Sequence, residues 1–147
     1  MGRLSAGYAA ADGPKFPVLV GVDGDTLTEE LDAGRAVPTP VLWAATFDTG
    51  TNITVINLEI VRRLGLRVRR QQNSTTGGGV VTVDLYEVSF GFPPVFGLAV
   101  TTVLDEKLLV AVLPDLPEDH EVLIGMDLLN RCRLLIDGPN LTFTLDF

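Results

Sequence analysis

The sequence predicts an all-β protein, mainly strands with about two short helices, and three observations carry that reading. Apolar runs of strand length, such as "FPVLVGV" (16–22), "VLWAATF" (41–47) and "LLVAVL" (108–113), end at or beside turn-forming residues. A triple glycine, Gly77, Gly78 and Gly79, sits between two β-rich stretches. The closing segment "LTFTLDF" alternates apolar and polar side chains with the two-residue period of a strand.

Taken in order, residues 1–15, ending at "DGPK", are expected as a flexible N-terminal arm, and residues 16–147 as a single domain. "FPVLVGV" is a strand stopped by the turn "DGD". Residues 26–40 fit either a short helix or a hairpin return, followed by a proline-punctuated loop. "VLWAATF" is an unbroken apolar run, expected to be buried on both faces of a sheet. Asn57 is a good N-cap for "LEIVRRL", with Leu58, Val61 and Leu64 on one side and Gly65 in the C′ position. "LRVRRQQNSTT" and "VVTVDLYEVSF" form a long hairpin across the glycines. Two strands follow, "LAVTTVL" and "LLVAVL". A surface loop, "PDLPEDHE", leads to a short buried strand "VLIG", and Asp127 caps a second helix over "LLNRCRL". The bare apolar face of "LTFTLDF" is the clearest hint of a partner chain.

Composition narrows the function. A chain of 147 residues suits one domain that buries roughly 68–70% of its unfolded surface. The longest uncharged stretch, Val88 to Leu104, is interrupted by Gly91, Pro93, Pro94 and Gly97, so no spanning helix is expected. No export signal opens the chain, which is expected to be cytoplasmic. Cys132 and His120 are the only residues of their kinds. Internal disulfides, Cys/His metal sites and Ser-His or Cys-His catalysis therefore lack partners, and neither metal nor cofactor is expected. A net charge of −8 disfavours nucleic acid. The basic run from Arg62 to Arg70 is read as a helix end and a strand's outer face rather than a binding patch.

The chemistry concentrates in "TFDTGTNITVI" (46–56), where one carboxylate, Asp48, follows a buried strand. An ordinary turn also satisfies Asp, Thr and Gly, and the triplet alone arises by chance in roughly a few per cent of chains this long. Context lifts it above that reading, because a carboxylate sunk at a strand end needs compensation.

"FDTGTNITVI", the strand–helix step, the glycine-tipped hairpin and "VLIGMDLL" downstream together resemble the retropepsins, the single-domain aspartic proteases of retroviruses and their relatives. The resemblance runs from about Phe16 to Phe147. It implies a closed β-barrel protomer of an acid protease homodimer, acting as an aspartic endopeptidase on peptide or protein substrates. In that family Asp48 is the catalytic aspartate, paired with Asp48 of a second copy. Thr49 hydrogen-bonds across the dimer axis, and Gly50 offers its carbonyl to substrate. The hairpin is the flap, so Gly50, Thr51, Asn52, Thr76, Gly77, Gly78 and Gly79 are the expected substrate-binding residues. Ile53, Val80, Val81 and Leu113 are candidates for side-chain pockets, with core packing the plainer role.

The chain departs from the family in having Asn52 and Met126 where many members carry an Asp–Arg ion pair near the dimer interface. Thr51 stands where viral members often have alanine, and its hydroxyl is expected to reach the ionised Asp48. The alternative reading is a catalytically silent retropepsin-fold module that dimerises or binds peptides. Trp43 is expected in the core, His120 exposed in an acidic loop, and Cys132 as a small buried hydrophobe.

Overall fold

The larger sheet is built on β5 (Gly79–Phe92), a strand of 14 residues, in a computed structural model that describes residues 2–147, Thr76 by its backbone alone. The first half of β5 pairs antiparallel with β4 (Arg70–Thr76), giving the expected hairpin with its turn at residues 77–78. Farther along, β5 pairs with β6 (Thr102–Val112) and with β2 (Lys15–Val22). β2 in turn pairs with β3 (Val41–Phe47), Lys15 opposite Thr46 and Val20 opposite Val41, and β3 runs parallel to β7 (Val122–Ile124). A second sheet has the order β1 (Arg3–Gly7), β9 (Thr142–Asp146), β8 (Arg133–Asp137), all antiparallel.

Helices α1 (Gly24–Asp32), α2 (Leu58–Leu64) and α3 (Met126–Leu129) fill the connections. α2 forms where the sequence places it. The Asn57 side chain accepts from the Ile60 amide at 3.0 Å, Gly65 takes the left-handed conformation at φ 63°, and Ile60, Val61 and Leu64 are buried.

The two sheets meet through aromatic side chains. Phe16 of β2 lies 5.5 Å, centroid to centroid, from Phe143 of β9 and 5.7 Å from Phe92 of β5, and Phe47 meets Phe143 edge-on at 5.5 Å. Leu4, Phe143 and Leu145 from the second sheet join Val18, Val20, Val88 and Phe90 in one core. Each such side chain contributes roughly 1.5–3 kcal/mol of burial energy. A smaller core gathers Val55, Val83, Leu85 and Ala111, with Ile53, Val81, Leu113 and Leu123 packed against it.

Several expectations change. Residues 3–7, expected within a loose arm, form β1, held to β9 by its full ladder and by the Arg3 guanidinium on the Asp146 carboxylate. β9 alternates as expected, but Phe143 and Leu145 are buried in the chain's own core and β9 is the middle strand, so its apolar face is not bare. "VLWAATF" is buried on one face only: Val41 and Ala45 point inward, whereas Leu42, on the other face, is 57% exposed and Ala44 is exposed beside it. β2 stops at "DGD", and of the two readings of residues 26–40 the short helix is the one formed: α1 begins here, the Asp23 carboxylate capping the amides of Asp25 and Thr26. The two strands expected over 98–113 are one, β6, which absorbs the charged break at 105–107 through irregularities in its pairing with β5. The helix at "LLNRCRL" is only Met126–Leu129, with Gly125 as its N-cap, and the chain straightens into β8. His120 is half-buried, its carbonyl accepting from Trp43 Nε1 at 3.0 Å and Asn57 Nδ2 at 2.8 Å. Trp43 and Cys132 pack against the main core as partly buried side chains.

Candidate active site

β3 ends at Phe47, and Asp48 is the first residue beyond it. Its amide donates to the Ile124 carbonyl at 2.9 Å, which extends the β3–β7 pairing by one step and fixes where the carboxylate leaves the sheet. The chain then turns. The Gly50 amide donates to Asp48 Oδ1 at 2.9 Å, and a side chain at Gly50 would bring a Cβ to 3.2 Å from the same oxygen. Oδ2 accepts no hydrogen bond among the described residues. Asp48 is half-buried, while Thr49 and Gly50 are exposed. Within residues 48–57 Asp48 is the one ionisable side chain.

The segment from Gly125 to Asp127 grips this loop from behind. The Met126 amide donates to the Thr51 carbonyl at 2.9 Å and the Asp127 amide to the Asn52 carbonyl at 3.2 Å. The Asp127 carboxylate accepts from the Thr54 amide at 2.8 Å, the Thr54 hydroxyl at 2.7 Å and the Leu128 amide at 2.9 Å. Thr54 is fully buried, and its hydroxyl oxygen also accepts from the Gly125 amide at 3.1 Å. These are charge-assisted bonds to a half-buried carboxylate, shielded from water at their Thr54 end. The chain re-enters the fold at Val55, which exchanges two backbone bonds of 2.9 Å with Leu123.

Glycine at 125 is a packing requirement. A Cβ there would lie 2.7 Å from the backbone carbon and oxygen of Ile53 and 3.0 Å from the Thr54 nitrogen. The approach of two backbones this close is what glycine permits.

The sequence-predicted residues thus fall into two groups. Asp48, Thr49, Gly50, Thr51 and Asn52 form one continuous loop. Gly77, Gly78 and Gly79 occupy the hairpin tip, with Gly79 at φ 116°, a conformation open to glycine. The side chain of Thr76 lies outside the described residues. The groups are joined at their bases, because Val81, Val83 and Leu85 of β5 share the smaller core with Ile53 and Val55. Ile53, Val81 and Leu113 are half-buried there, and Val80 is 68% exposed.

The Thr51 expectation is overturned. Its hydroxyl donates to the Ile53 carbonyl at 2.9 Å and so is turned into the loop. The network of Thr54 and Asp127 was not expected from the sequence. Its signal was a hydroxyl inside the apolar run "ITVI", since a buried hydroxyl needs a partner. Among the described residues no group of three or more His, Cys, Asp or Glu side chains is placed to hold a metal ion. No helix among them is long and apolar enough to cross a membrane.

No curated protein matches the chain. A solved structure with the same fold is that of a retropepsin-like aspartic protease from Rickettsia conorii, with a TM-score of 0.56 and 18% identity over 99% of this chain and 91% of that one. The EIAV protease gives 0.48 and 19% over 86% and 93%. The aspartyl protease family profile matches residues 39–128, which hold both the Asp48 loop and the Gly125 segment that grips it. The chain belongs to the aspartyl protease family and has a retropepsin-like, mostly β fold.

Proposed function

We propose that the protein is an aspartic endopeptidase whose catalytic pair is Asp48 of one copy and Asp48 of a second. The observation that carries this reading is how Asp48 is held: one oxygen bound by the Gly50 amide, the other accepting no hydrogen bond among the described residues, on a loop clamped by Gly125 to Asp127. A carboxylate positioned so firmly, yet partly open to solvent, is equipped to act on something outside the fold.

One carboxylate is half of what peptide hydrolysis needs. Two carboxyl groups at close range share one proton, because both cannot be charged together; this behaviour is established for aspartic proteases as a class. The charged member takes a proton from water as the water oxygen attacks the peptide carbonyl carbon. The neutral member donates a hydrogen bond to the carbonyl oxygen and stabilises the tetrahedral species. Collapse of that species breaks the C–N bond, and the amine leaves with a proton returned by the pair. Thr49, exposed in this chain, is assigned to the contact between the two loops.

The β4–β5 hairpin is assigned as the flap, with Thr76, Gly77, Gly78 and Gly79 presenting backbone groups to an extended peptide. Gly50, Thr51 and Asn52 line the floor. Residues 3–147 act as one domain, β1 included.

The reading is tested by digesting a random peptide mixture between about pH 3 and 8, the span of perturbed carboxylates. Cleavage that a statine-type inhibitor blocks and that Asp48→Asn abolishes is the expected result. A folded protein that yields no products across that range is instead the silent peptide-binding module.

A further inference from the structure

Helix α1 buries none of its side chains, so packing into the core does not account for it. Polar contacts fasten it instead: the Asp23 cap at its start, Lys107 on the Asp25 carboxylate, and Arg35 bidentate on Glu30 at 2.9 and 3.0 Å. Ordering such a segment costs backbone entropy, and what the helix contributes is a wall. Between α1, the loop that follows it, the C-terminal end of α2 and the Glu87 region of β5 lies a cavity of about 490 Å³. That is within the range of small-molecule sites, about 300–1,000 Å³. The described residues that line it include none of the Asp48 loop or the hairpin tip.

The lining is apolar in part, with Val22 and Leu64 buried and Leu66 and Pro38 half-buried. Its charges are of both signs and do not cancel locally. Glu30 and Arg35 are closed on each other. Arg69 is one cation between two anions, 3.5 Å from Asp23 and 3.4 Å from Glu87, both longer than the roughly 2.7–2.9 Å of a charge-assisted bond. Its guanidinium makes no hydrogen bond among the described residues, so its donors stay open. Asp23 keeps its charge here: burial raises its carboxyl, but the Thr26 hydroxyl and amide, Arg69 and the Asp25 amide hold it below the usual range. Glu29 and Arg67, both exposed, form no ion pair or side-chain hydrogen bond among the described residues.

The cavity therefore holds four carboxylates against three guanidinium groups, with Arg67 unmatched. A simple anion meets an acidic majority, a simple amine leaves Arg67 unanswered, and an apolar ligand strands charges of both signs. A molecule with an ammonium at one end and a carboxylate at the other answers both.

We propose that this cavity binds a small zwitterion with a free ammonium and a free carboxylate. The carboxylate sits on Arg67 and Arg69, the ammonium on Glu29 and Glu87, and an apolar side chain against Leu64 and Leu66. Ions of this kind are free amino acids or short peptides, and the volume favours a short peptide. The site is separate from Asp48, so the inference stands whether or not the chain cuts peptides.

The test is calorimetric titration of the full chain with the dipeptide leucyl-leucine, with free leucine, and with the dipeptide acetylated at its amine or amidated at its carboxylate. The free dipeptide should bind, and each blocked form about tenfold more weakly, because one charge-assisted contact is lost. Arg67→Ala should weaken the dipeptide about tenfold and Glu29→Gln about threefold. Arg70→Ala, at an exposed arginine outside the cavity, should change nothing, and neither should Asp48→Asn, which separates this site from a substrate cleft. A dipeptide that binds tighter than leucine identifies the ligand as a short peptide, and leucine binding as well or better identifies it as an amino acid. No binding of either up to about 10 mM, blocked forms that bind as well as free ones, inorganic phosphate that binds as tightly as the dipeptide, or binding indifferent to Arg67→Ala overturns the proposal.

Discussion

Thr54→Val keeps the side chain's shape and removes its hydroxyl, which isolates what that group does for the Asp48 loop. The hydroxyl donates to Asp127 at 2.7 Å and accepts from the Gly125 amide at 3.1 Å, at a residue with no exposure. Losing a bond to a charged acceptor costs about 1.5–3 kcal/mol, and leaving the Gly125 amide buried without a partner costs about 1–3 kcal/mol. The added methyl returns about 0.8 kcal/mol of burial. The net loss is about 3 kcal/mol, or roughly 6–12 °C in the melting temperature of a chain this size. Calorimetry or denaturant titration measures it directly. Peptide cleavage should fall as well, since the loop that carries Asp48 is released from behind. A variant within about 0.5 kcal/mol of the parent, the range of an ordinary surface change, would refute the assigned network.

Three further outcomes follow from the same geometry. Gly125→Ala forces a Cβ to 2.7 Å from the Ile53 backbone, and its cost should exceed about 2 kcal/mol with loss of cleavage; a variant that melts like the parent contradicts the close approach. Asp23→Asn tests the cap of α1. Burial raises the Asp23 carboxyl, but the Thr26 hydroxyl and amide, the Arg69 guanidinium and the Asp25 amide outweigh it and hold the group below its usual range. A depressed carboxyl contributes stability above the unfolded value, near 3.9, and loses it as pH falls through the folded value. The variant should therefore be about 1 kcal/mol less stable at neutral pH, with the gap closing below about pH 4; a gap unchanged by acid counts against the assignment. Burial raises the Cys132 thiol, with Arg131 opposing it more weakly, so alkylation at mildly alkaline pH should be slower than for a free thiol, and an equal rate would contradict that environment.

What could be read from the sequence follows from how local each signal is. Asn57 and Gly65 mark α2 because caps act within a few residues, and the glycine tip of the β4–β5 hairpin is set by its own backbone. Asp48 stood out because a carboxylate beside a buried run is costly wherever the chain goes. The failures are long-range. "VLWAATF" reads as doubly buried, yet Leu42 on its outer face is 57% exposed. "LTFTLDF" reads as an uncovered face, yet β1 and β8, from distant parts of the chain, flank it. Asp127 reads as a helix cap, and its carboxylate does bond the Leu128 amide, but Thr54, 73 residues away in sequence, takes the stronger claim on it. Thr51 was expected to serve Asp48 because of nearness in sequence, and the turn instead aims its hydroxyl at Ile53.

The central claim is that Asp48 works as half of a two-chain pair, and mixing separates it from every one-chain mechanism. Wild-type protein is combined with rising proportions of Asp48→Asn, subunits are allowed to exchange, and peptide cleavage is measured at constant total protein. Activity should fall with the square of the wild-type fraction, because each mixed dimer has lost one carboxylate. A fall in direct proportion to that fraction would mean that each chain cuts alone, and the account would not survive it.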